Sequence, residues 1–362
     1  MNFAFFGSSL VSAYWNGAAT YYRGLLKALA DRGHRIAFCE PDAFGRQENR
    51  DIADPPWARV VVYPPREDAM DAALDEALAW ADVLVKCSGV GVLDRALEAR
   101  ISAAGAPGRS VLLWDVDAPA TLDSLAADAS DPLRAQIPAF DAIMTYGGGD
   151  RVVSAYEALG ARRCVPVYNA VDPATHHAVP PDPEFCADLS FLGNRLPDRE
   201  ARVDEFFLSA ARALTSHVFL LGGSGWQDKA VPPNVRRLGH VFTHDHNAFN
   251  VTPKAVLNIN RESMARYGAS PPTRIFEAAG AAACIVSDRW EGIERFLEPG
   301  SEILLATDGA EVAAIVETLD HDEAREMGVR ARRRVLAEHT YAHRAAEVEA
   351  LLEGRDAWQE AV

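Results

Sequence analysis

Nothing in the sequence marks it for a lipid bilayer or a nucleic acid. No apolar run approaches the roughly 18 residues that a spanning helix needs. The longest, Ala278–Val286, is mostly alanine and reads as a packed helix–strand junction. The opening Met1-Asn-Phe-Ala-Phe-Phe has neither a basic leader nor a cleavage site, so no secretory signal is expected. Positive charge is in deficit. The net charge of −16 argues against a polyanion as the main partner and against docking on an anionic membrane surface. The basic cluster Arg325–Arg334 lies among glutamates and reads as a solvated helix face. Cysteine is sparse: Cys39, Cys87, Cys164, Cys186 and Cys284 are odd in number and scattered without metal-ligand spacing. Reduced, buried thiols in a cytoplasm are the expectation. The loop after the first strand has no Gly-x-Gly-x-x-Gly, which counts against a dinucleotide-dependent dehydrogenase. No repeat of solenoid period is present.

What is present is a well-filled α/β pattern. At 362 residues and 49% hydrophobic content the chain is too long for one ordinary core, so two domains are expected. In the first half Asn2–Phe6, Arg35–Cys39, Val60–Tyr63, Val83–Lys86, Ser110–Trp114 and Ala142–Thr145 read as strands. They alternate with helical spacing over Thr20–Ala30, Met70–Trp80, Val92–Ala103 and Arg151–Leu159. This alternation predicts a parallel sheet covered on both faces. After a connection that is rich in proline up to Pro183 the pattern restarts. Strands are expected over Leu189–Leu192, His217–Leu221, Val235–Leu238, Ala255–Ile259, Cys284–Ser287 and Glu302–Leu305. Helices are expected over Asp198–Ala213, Gly309–Leu319 and Asp322–His339. The domain change falls near residues 165–175. Two doubly wound halves of this kind are expected to face a cleft lined by the carboxyl edges of both sheets, where ligands bind.

The most informative segment is Tyr267-Gly-Ala-Ser-Pro-Pro-Thr-Arg-Ile-Phe-Glu277. It reads as a loop and then an abrupt helix start, with Ser270 as cap and Pro271 at the first helical position. Arg274 and Glu277 stand three apart and share a face of the first turns. A cation for phosphate and a carboxylate for ribose hydroxyls suit a sugar nucleotide. Pro271 and Pro272 lack an N–H, so the helix end offers an anion fewer backbone donors and Arg274 carries more of that work. The plainer alternative is an Arg–Glu pair on a solvated face.

Other chemistry-bearing groups sit at strand ends. Asp115 and Asp117 follow the strand Ser110–Trp114, where a carboxylate either deprotonates a hydroxyl or caps the next helix and holds a loop. Tyr14, Trp15 and Asn16 either stack on and hydrogen-bond an acceptor, or Trp15 packs over the helix that follows. Gly147-Gly-Gly-Asp150 reads as a tight strand–helix turn. His244 and His246 flank Asp245 with no third ligand nearby, so a loop facing a nucleotide base is preferred to a metal site. His176-His177, in the proline-rich connection, is expected to be solvated. Lys254 and Arg261 either add to phosphate neutralisation or are surface charges.

The motifs Trp114-Asp-Val-Asp-Ala-Pro119, Asn169-Ala-Val-Asp-Pro173, Asp188-Leu-Ser-Phe-Leu-Gly-Asn194, Asn258-Ile-Asn-Arg261, Arg274-Ile-Phe-Glu277 and His339-Thr-Tyr-Ala-His-Arg344 occur in an order and spacing that resembles the CgeB-like (spore maturation protein type) GT-B glycosyltransferases. The resemblance covers nearly the whole chain. It implies an α/β GT-B fold of two Rossmann-like domains facing a central cleft. Residues 1–168 would bind the acceptor, 169–340 would bind the nucleotide sugar, and 341–362 would form a helix packing back on the first domain. It implies transfer of a hexosyl or deoxyhexosyl group from a nucleoside diphosphate sugar without a bound metal or other cofactor. The acceptor would be a small molecule, a glycan or a protein.

Role by role, Glu277 would bind the donor ribose and Arg274 the diphosphate, with Ser270 close by. Gly193, Asn194 and Arg195 (or Arg199) would form the first donor loop, and Gly222 and Gly223 would line the base or diphosphate site. Many such enzymes carry a second acidic residue seven or eight positions before the ribose ligand. Here Tyr267–Ser270 occupy that region, which leaves the sugar undefined. Asp117, then Asp115, is the candidate base of an inverting transfer. Ser8, Tyr14, Trp15 and Asn16 would line the acceptor site. Two rivals are a sugar-nucleotide epimerase on the same fold and an inactive nucleotide-binding subunit.

Overall fold

The computed structural model describes residues 1–14 and 16–354. The chain divides into two compact units, Met1–Tyr168 together with the segment from Tyr341 onward, and Asn169–Thr340. The first unit is built on seven strands: β1 (Asn2–Phe6), β2 (Arg35–Pro41), β3 (Ala58–Tyr63), β4 (Val83–Cys87), β5 (Ser110–Asp115), β6 (Ala142–Thr145) and β7 (Cys164–Pro166). Their order is β3-β2-β1-β4-β5-β6-β7, with every pairing parallel. Helices α1 (Ala19–Asp31), α2 (Glu67–Leu78), α3 (Asp94–Ser102), α4 (Ala118–Ala127), α5 (Pro132–Gln136) and α6 (Gly149–Ala158) make the crossovers. The central strand β1 is fully buried from Phe3 to Phe6, as a strand covered on both faces must be.

The second unit has six parallel strands: β8 (Leu189–Leu192), β9 (Phe219–Gly222), β10 (Val235–Gly239), β11 (Ala255–Asn258), β12 (Ile285–Asp288) and β13 (Leu304–Ala306). Their order is β10-β9-β8-β11-β12-β13. Between them run α7 (Pro197–Val203), α8 (Ser209–Ala213), α9 (His246–Val251), α10 (Glu262–Tyr267), α11 (Thr273–Gly280), α12 (Gly309–Thr318) and α13 (His321–Glu338). The single helix expected over Asp198–Ala213 is interrupted by a π-helical stretch at Asp204–Leu208, which turns Phe206, Phe207 and Leu208 all into the core.

The last helix, α14 (Tyr341–Leu352), returns to the first unit. A Cβ at Gly24 of α1 would overlap the Tyr341 ring, so glycine is what lets α14 lie close. The Tyr21 and Tyr341 rings meet edge to face at 6.0 Å, and Arg344 Nε donates to Tyr168 O at 3.2 Å. Among the described residues no helix is long and apolar enough to cross a membrane.

Four cysteines are buried, and burial pushes the thiols of Cys39, Cys87, Cys164 and Cys284 up to about 12, which leaves them unreactive. Cys186 departs from the expectation and is exposed.

Candidate functional site

In a doubly wound sheet, ligands bind where neighbouring strands send their connections in opposite directions. In the second unit that point lies between β8 and β11, the strands from which the order runs outward to β9 and to β12. The loops at this edge are Gly193–Leu196 after β8 and Ile259–Arg261 after β11.

The β8 loop is tied to the loop after β9. Gly193 N donates to Gly222 O at 3.0 Å, Trp226 Nε1 donates to Gly193 O at 2.7 Å, and Ser224 N donates to Asn194 Oδ1 at 3.0 Å. Gly223 has φ +114, and a Cβ there would overlap the Gly193 carbonyl. Glycine is therefore needed at 223, where these loops touch. Gly222 is less exposed to a ligand than expected, because it faces Leu192, Val241 and Phe249.

The start of α11 also differs from the sequence reading. The helix begins at Thr273, with Pro272 rather than Ser270 at the cap position. The Ser270 hydroxyl is buried and donates back to Gly268 O at 3.0 Å. The reason is the backbone: Gly268 (φ +72) and Ala269 (φ +38) are left-handed and turn the chain before the helix can start. Asn169 then holds the proline pair, with Nδ2 donating to Pro271 O at 3.1 Å and Oδ1 accepting from Thr273 Oγ1 at 3.4 Å.

Arg274 and Glu277 do not form a solvated surface pair. Among the described residues no carboxylate lies within ion-pair distance of the Arg274 guanidinium. Burial pulls that guanidinium down to about 10, the Glu277 charge pulls it back up, and the charge of Arg199 adds to the downward push. Arg199 lies against the β8 loop, with Nη1 3.3 Å from Asn194 O and about van der Waals distance from Gly193. Arg199 thus stands at the β8 loop, and its charge is felt at the buried Arg274 guanidinium. An anion at Arg274 would offset the burial and the like charge that pull its guanidinium down.

Arg195, the first choice from sequence, is engaged elsewhere. It holds Glu200 at 2.8 Å and Asp228 at 2.8 Å, so its charge serves the loop. Lys254 is neither a phosphate ligand nor a surface charge. It is buried, donates to Val316 O at 2.6 Å and sits 3.7 Å from Asp188. Arg261 stands at the start of α10.

Around Glu277 the structure assembles groups that no local pattern connects. His176 was expected in solvent; it is 3% exposed, while His177 is exposed. His176 Nε2 lies 3.8 Å from Glu277 Oε1. Gly280 explains the approach, since a Cβ there would press on Val171 and on the His176 backbone. The small-residue run of α11 therefore admits the 171–176 connection. His246, at the start of α9, completes the group, with Nε2 3.3 Å from Val241 O. Burial opposes the charge on Glu277, yet His176, His246 and Arg274 hold its carboxyl below the ordinary range. Burial lowers His246, against the pull of Glu277.

In the first unit the expected acceptor residues mostly organise their own loop. Ser8 Oγ donates to Asn16 Oδ1 at 2.9 Å, and Asn16 Nδ2 donates to Ser9 O at 2.8 Å and Ser12 O at 3.0 Å. Both residues are buried, whereas Tyr14 is exposed. Trp15 lies outside the described residues. Asp115 is fully buried; it accepts from Tyr156 Oη at 2.5 Å and from Asp117 N at 3.0 Å. That makes Asp115 a loop-holding group in this state, which weakens it as a base. Asp117 occupies the N-cap position of α4 without a capping hydrogen bond from its side chain, and it is half-buried. Asp115 also borders a cavity of about 340 Å³ whose walls include Lys86, Asp94, Glu98, Thr121 and Asp131.

A search of curated proteins finds no match for the sequence. Residues 199–350 match a family profile described as glycosyl transferase-like. Solved structures resemble the whole chain at low identity. Sucrose-phosphate synthase from Thermosynechococcus elongatus aligns with a TM-score of 0.73 and 13% identity, covering 98% of each chain. HepE from Anabaena, in complex with UDP and glucose, aligns at 0.64 and 12% identity over 98% of this chain and 100% of the other. The trehalose-6-phosphate synthase OtsA aligns at 0.67 and 11% identity over 98% and 99%. The chain therefore has the two-unit, parallel-sheet α/β fold of GT-B glycosyltransferases.

Proposed function

We propose that the protein is a glycosyltransferase that moves a hexosyl or deoxyhexosyl group from a nucleoside diphosphate sugar to an acceptor hydroxyl. The observation that carries this reading is the buried Arg274 guanidinium, with the Glu277 carboxylate three residues along the same helix and the charge of Arg199, at the β8 loop, felt at Arg274. Charge on the leaving diphosphate would be stabilised by the two guanidiniums, so transfer needs no metal. Glu277 would accept from the ribose hydroxyls. The HepE complexes with UDP and with UDP-glucose support a uridine donor.

Asp117 is the proposed base of an inverting transfer, positioned by the hydrogen bond from its N–H to Asp115. The motif order favours the CgeB-like branch, and the acidic net charge with its scattered reduced thiols favours a cytoplasmic setting. The test is calorimetric titration with UDP, dTDP, GDP, ADP and CMP, followed by donor turnover in EDTA with a panel of acceptors. One diphosphate nucleoside should bind, and its sugar should be transferred in EDTA. If none binds, the reading fails. Turnover of a UDP-sugar without any acceptor would favour the epimerase instead.

A further inference from the structure

We propose that His176, His246 and Glu277 form a site for one borderline divalent transition-metal ion, Zn²⁺ being the class that fits, and that an ion there and a nucleotide at Glu277 exclude one another. The exclusion rests on reading Glu277 as the ribose ligand; the ion site does not. The three side chains come from the 171–176 connection, α9 and α11, and their candidate ligand atoms all lie within 4.8 Å of one another. His176 Nε2 and Glu277 Oε1 are 3.8 Å apart, too far for a hydrogen bond. The distance suits two ligands of a shared ion, because atoms about 2.0–2.1 Å from a tetrahedral Zn²⁺ stand roughly 3.4 Å from each other. His176 is buried, and its Nε2 has no hydrogen-bond partner. An ion supplies the bond that nitrogen lacks.

His246 is prepared from behind. A proton on Nε2 shared with Val241 O leaves Nδ1 with its lone pair, and a backbone carbonyl is a usual second partner of a ligating imidazole. Two imidazoles and one carboxylate select Zn²⁺ over Mg²⁺ or Ca²⁺, which prefer all-oxygen sets. Three protein ligands leave one position open to water. Arg274 works against a cation, since its charge reaches both Glu277 and His246. The ion is therefore held more weakly than in a closed structural site and exchanges. Once it binds Glu277, the carboxylate no longer has both oxygens for ribose hydroxyls.

The test uses the full chain, stripped with EDTA and dialysed. Zn²⁺ is titrated in competition with a chromogenic chelator. Wild type should take up one equivalent. His176→Ala and His246→Ala should each weaken uptake at least about tenfold, the scale seen when metal sites lose supporting groups. His244→Ala, at an exposed position, should leave it unchanged. Co²⁺ should give visible d–d absorption in wild type that His176→Gln abolishes while keeping the metal-free melting temperature. No uptake by wild type, or uptake unaffected by both histidine variants, overturns the site. UDP titration with and without a slight excess of Zn²⁺ tests the exclusion. UDP affinity should fall with Zn²⁺ in wild type but not in His176→Gln, and unchanged affinity in wild type overturns the exclusion. Failure of UDP, dTDP, GDP and ADP alike to bind the metal-free protein overturns the donor reading and the exclusion with it, while the Zn²⁺ titration still decides the ion site.

Discussion

Replacing Arg274 by glutamine separates binding from stability in a way that few substitutions do. Among the described residues the guanidinium has no carboxylate at ion-pair distance, and burial together with Arg199 pulls it down to about 10. It remains charged at neutral pH, so the folded protein carries an unrelieved cation. A donor diphosphate relieves it through charge-assisted hydrogen bonds worth about 1.5–3 kcal/mol, equivalent to a 10- to 150-fold change in affinity. Arg274→Gln should therefore weaken UDP binding by roughly that factor, while binding of uridine, which has no phosphate, stays within about threefold. Removal of the charge also ends the repulsion with Arg199. The loss of attraction to Glu277 offsets part of that gain, so the melting temperature should hold or rise. A stability change of 1 kcal/mol would move it by about 2–4 °C in a unit of this size. Calorimetry with UDP and uridine, alongside thermal melts, decides the matter. Equal losses for UDP and uridine would refute the phosphate role. A fall of more than about 5 °C with UDP affinity intact would show that Arg274 is structural instead.

Three further outcomes follow from other parts of the two units. Arg202→Met leaves Asp288, which is fully buried and paired to Arg202 at 2.6 Å, without its cation. The cost should be about 3 kcal/mol at pH 7. Burial already raises the Asp288 carboxyl, and removing Arg202 raises it further. The folded state then binds the proton more tightly than the unfolded state, so the penalty should shrink as pH falls toward 4 and grow as pH rises; a pH-independent penalty in thermal melts would contradict this. Gly223→Ala must fit a side chain at φ +114 against the Gly193 carbonyl. It should cost about 2 kcal/mol or more and weaken UDP binding with it, which denaturant melts and calorimetry measure together. Asp117→Asn should reduce transfer at least about 100-fold with UDP affinity unchanged. Asp115→Asn keeps an oxygen for the Asp117 N–H and should retain transfer; the reverse result in a donor-turnover assay would move the base to Asp115.

The sheets were legible because their strands are short apolar runs that end in turn residues. Asn2–Phe6, Ala142–Thr145 and Leu189–Leu192 fall where the pattern puts them. The elements that escaped are those in which periodicity has no length to act. Strand β7 is only Cys164-Val-Pro166 and ends in a proline. Helices α9 and α10 have six residues each, under two turns. Helix α4 begins at Ala118, directly behind Asp117 and with Pro119 in its first turn, where the sequence reading has Pro119 end the strand. The π-helical stretch at Asp204–Leu208 keeps a helical composition throughout, so nothing local announces the change of register.

The site shows a different limit. The spacing of Arg274 and Glu277 is local and readable, as is the place of Gly193 in the first donor loop; that residue 223 must be glycine to clear the Gly193 carbonyl is not. What decides which charges remain available for a ligand is not local. Arg195 and Arg199 sit one turn apart and look equivalent in sequence, yet Arg195 is held by Glu200 and by Asp228 from beyond β9, while the charge of Arg199 is felt at Arg274. His176 looked like a solvated residue of a proline-rich connection because its neighbours are polar and proline-rich. It is buried because Gly280, in a helix whose small residues read only as tight packing, leaves room for its backbone. A ligand site of this kind is set by subtraction. The fold pairs most of its charges internally, and Arg274, with no carboxylate at ion-pair distance among the described residues, and His176 Nε2, with no hydrogen-bond partner, are left around α11, where an anion or a metal ion has the most to gain by binding.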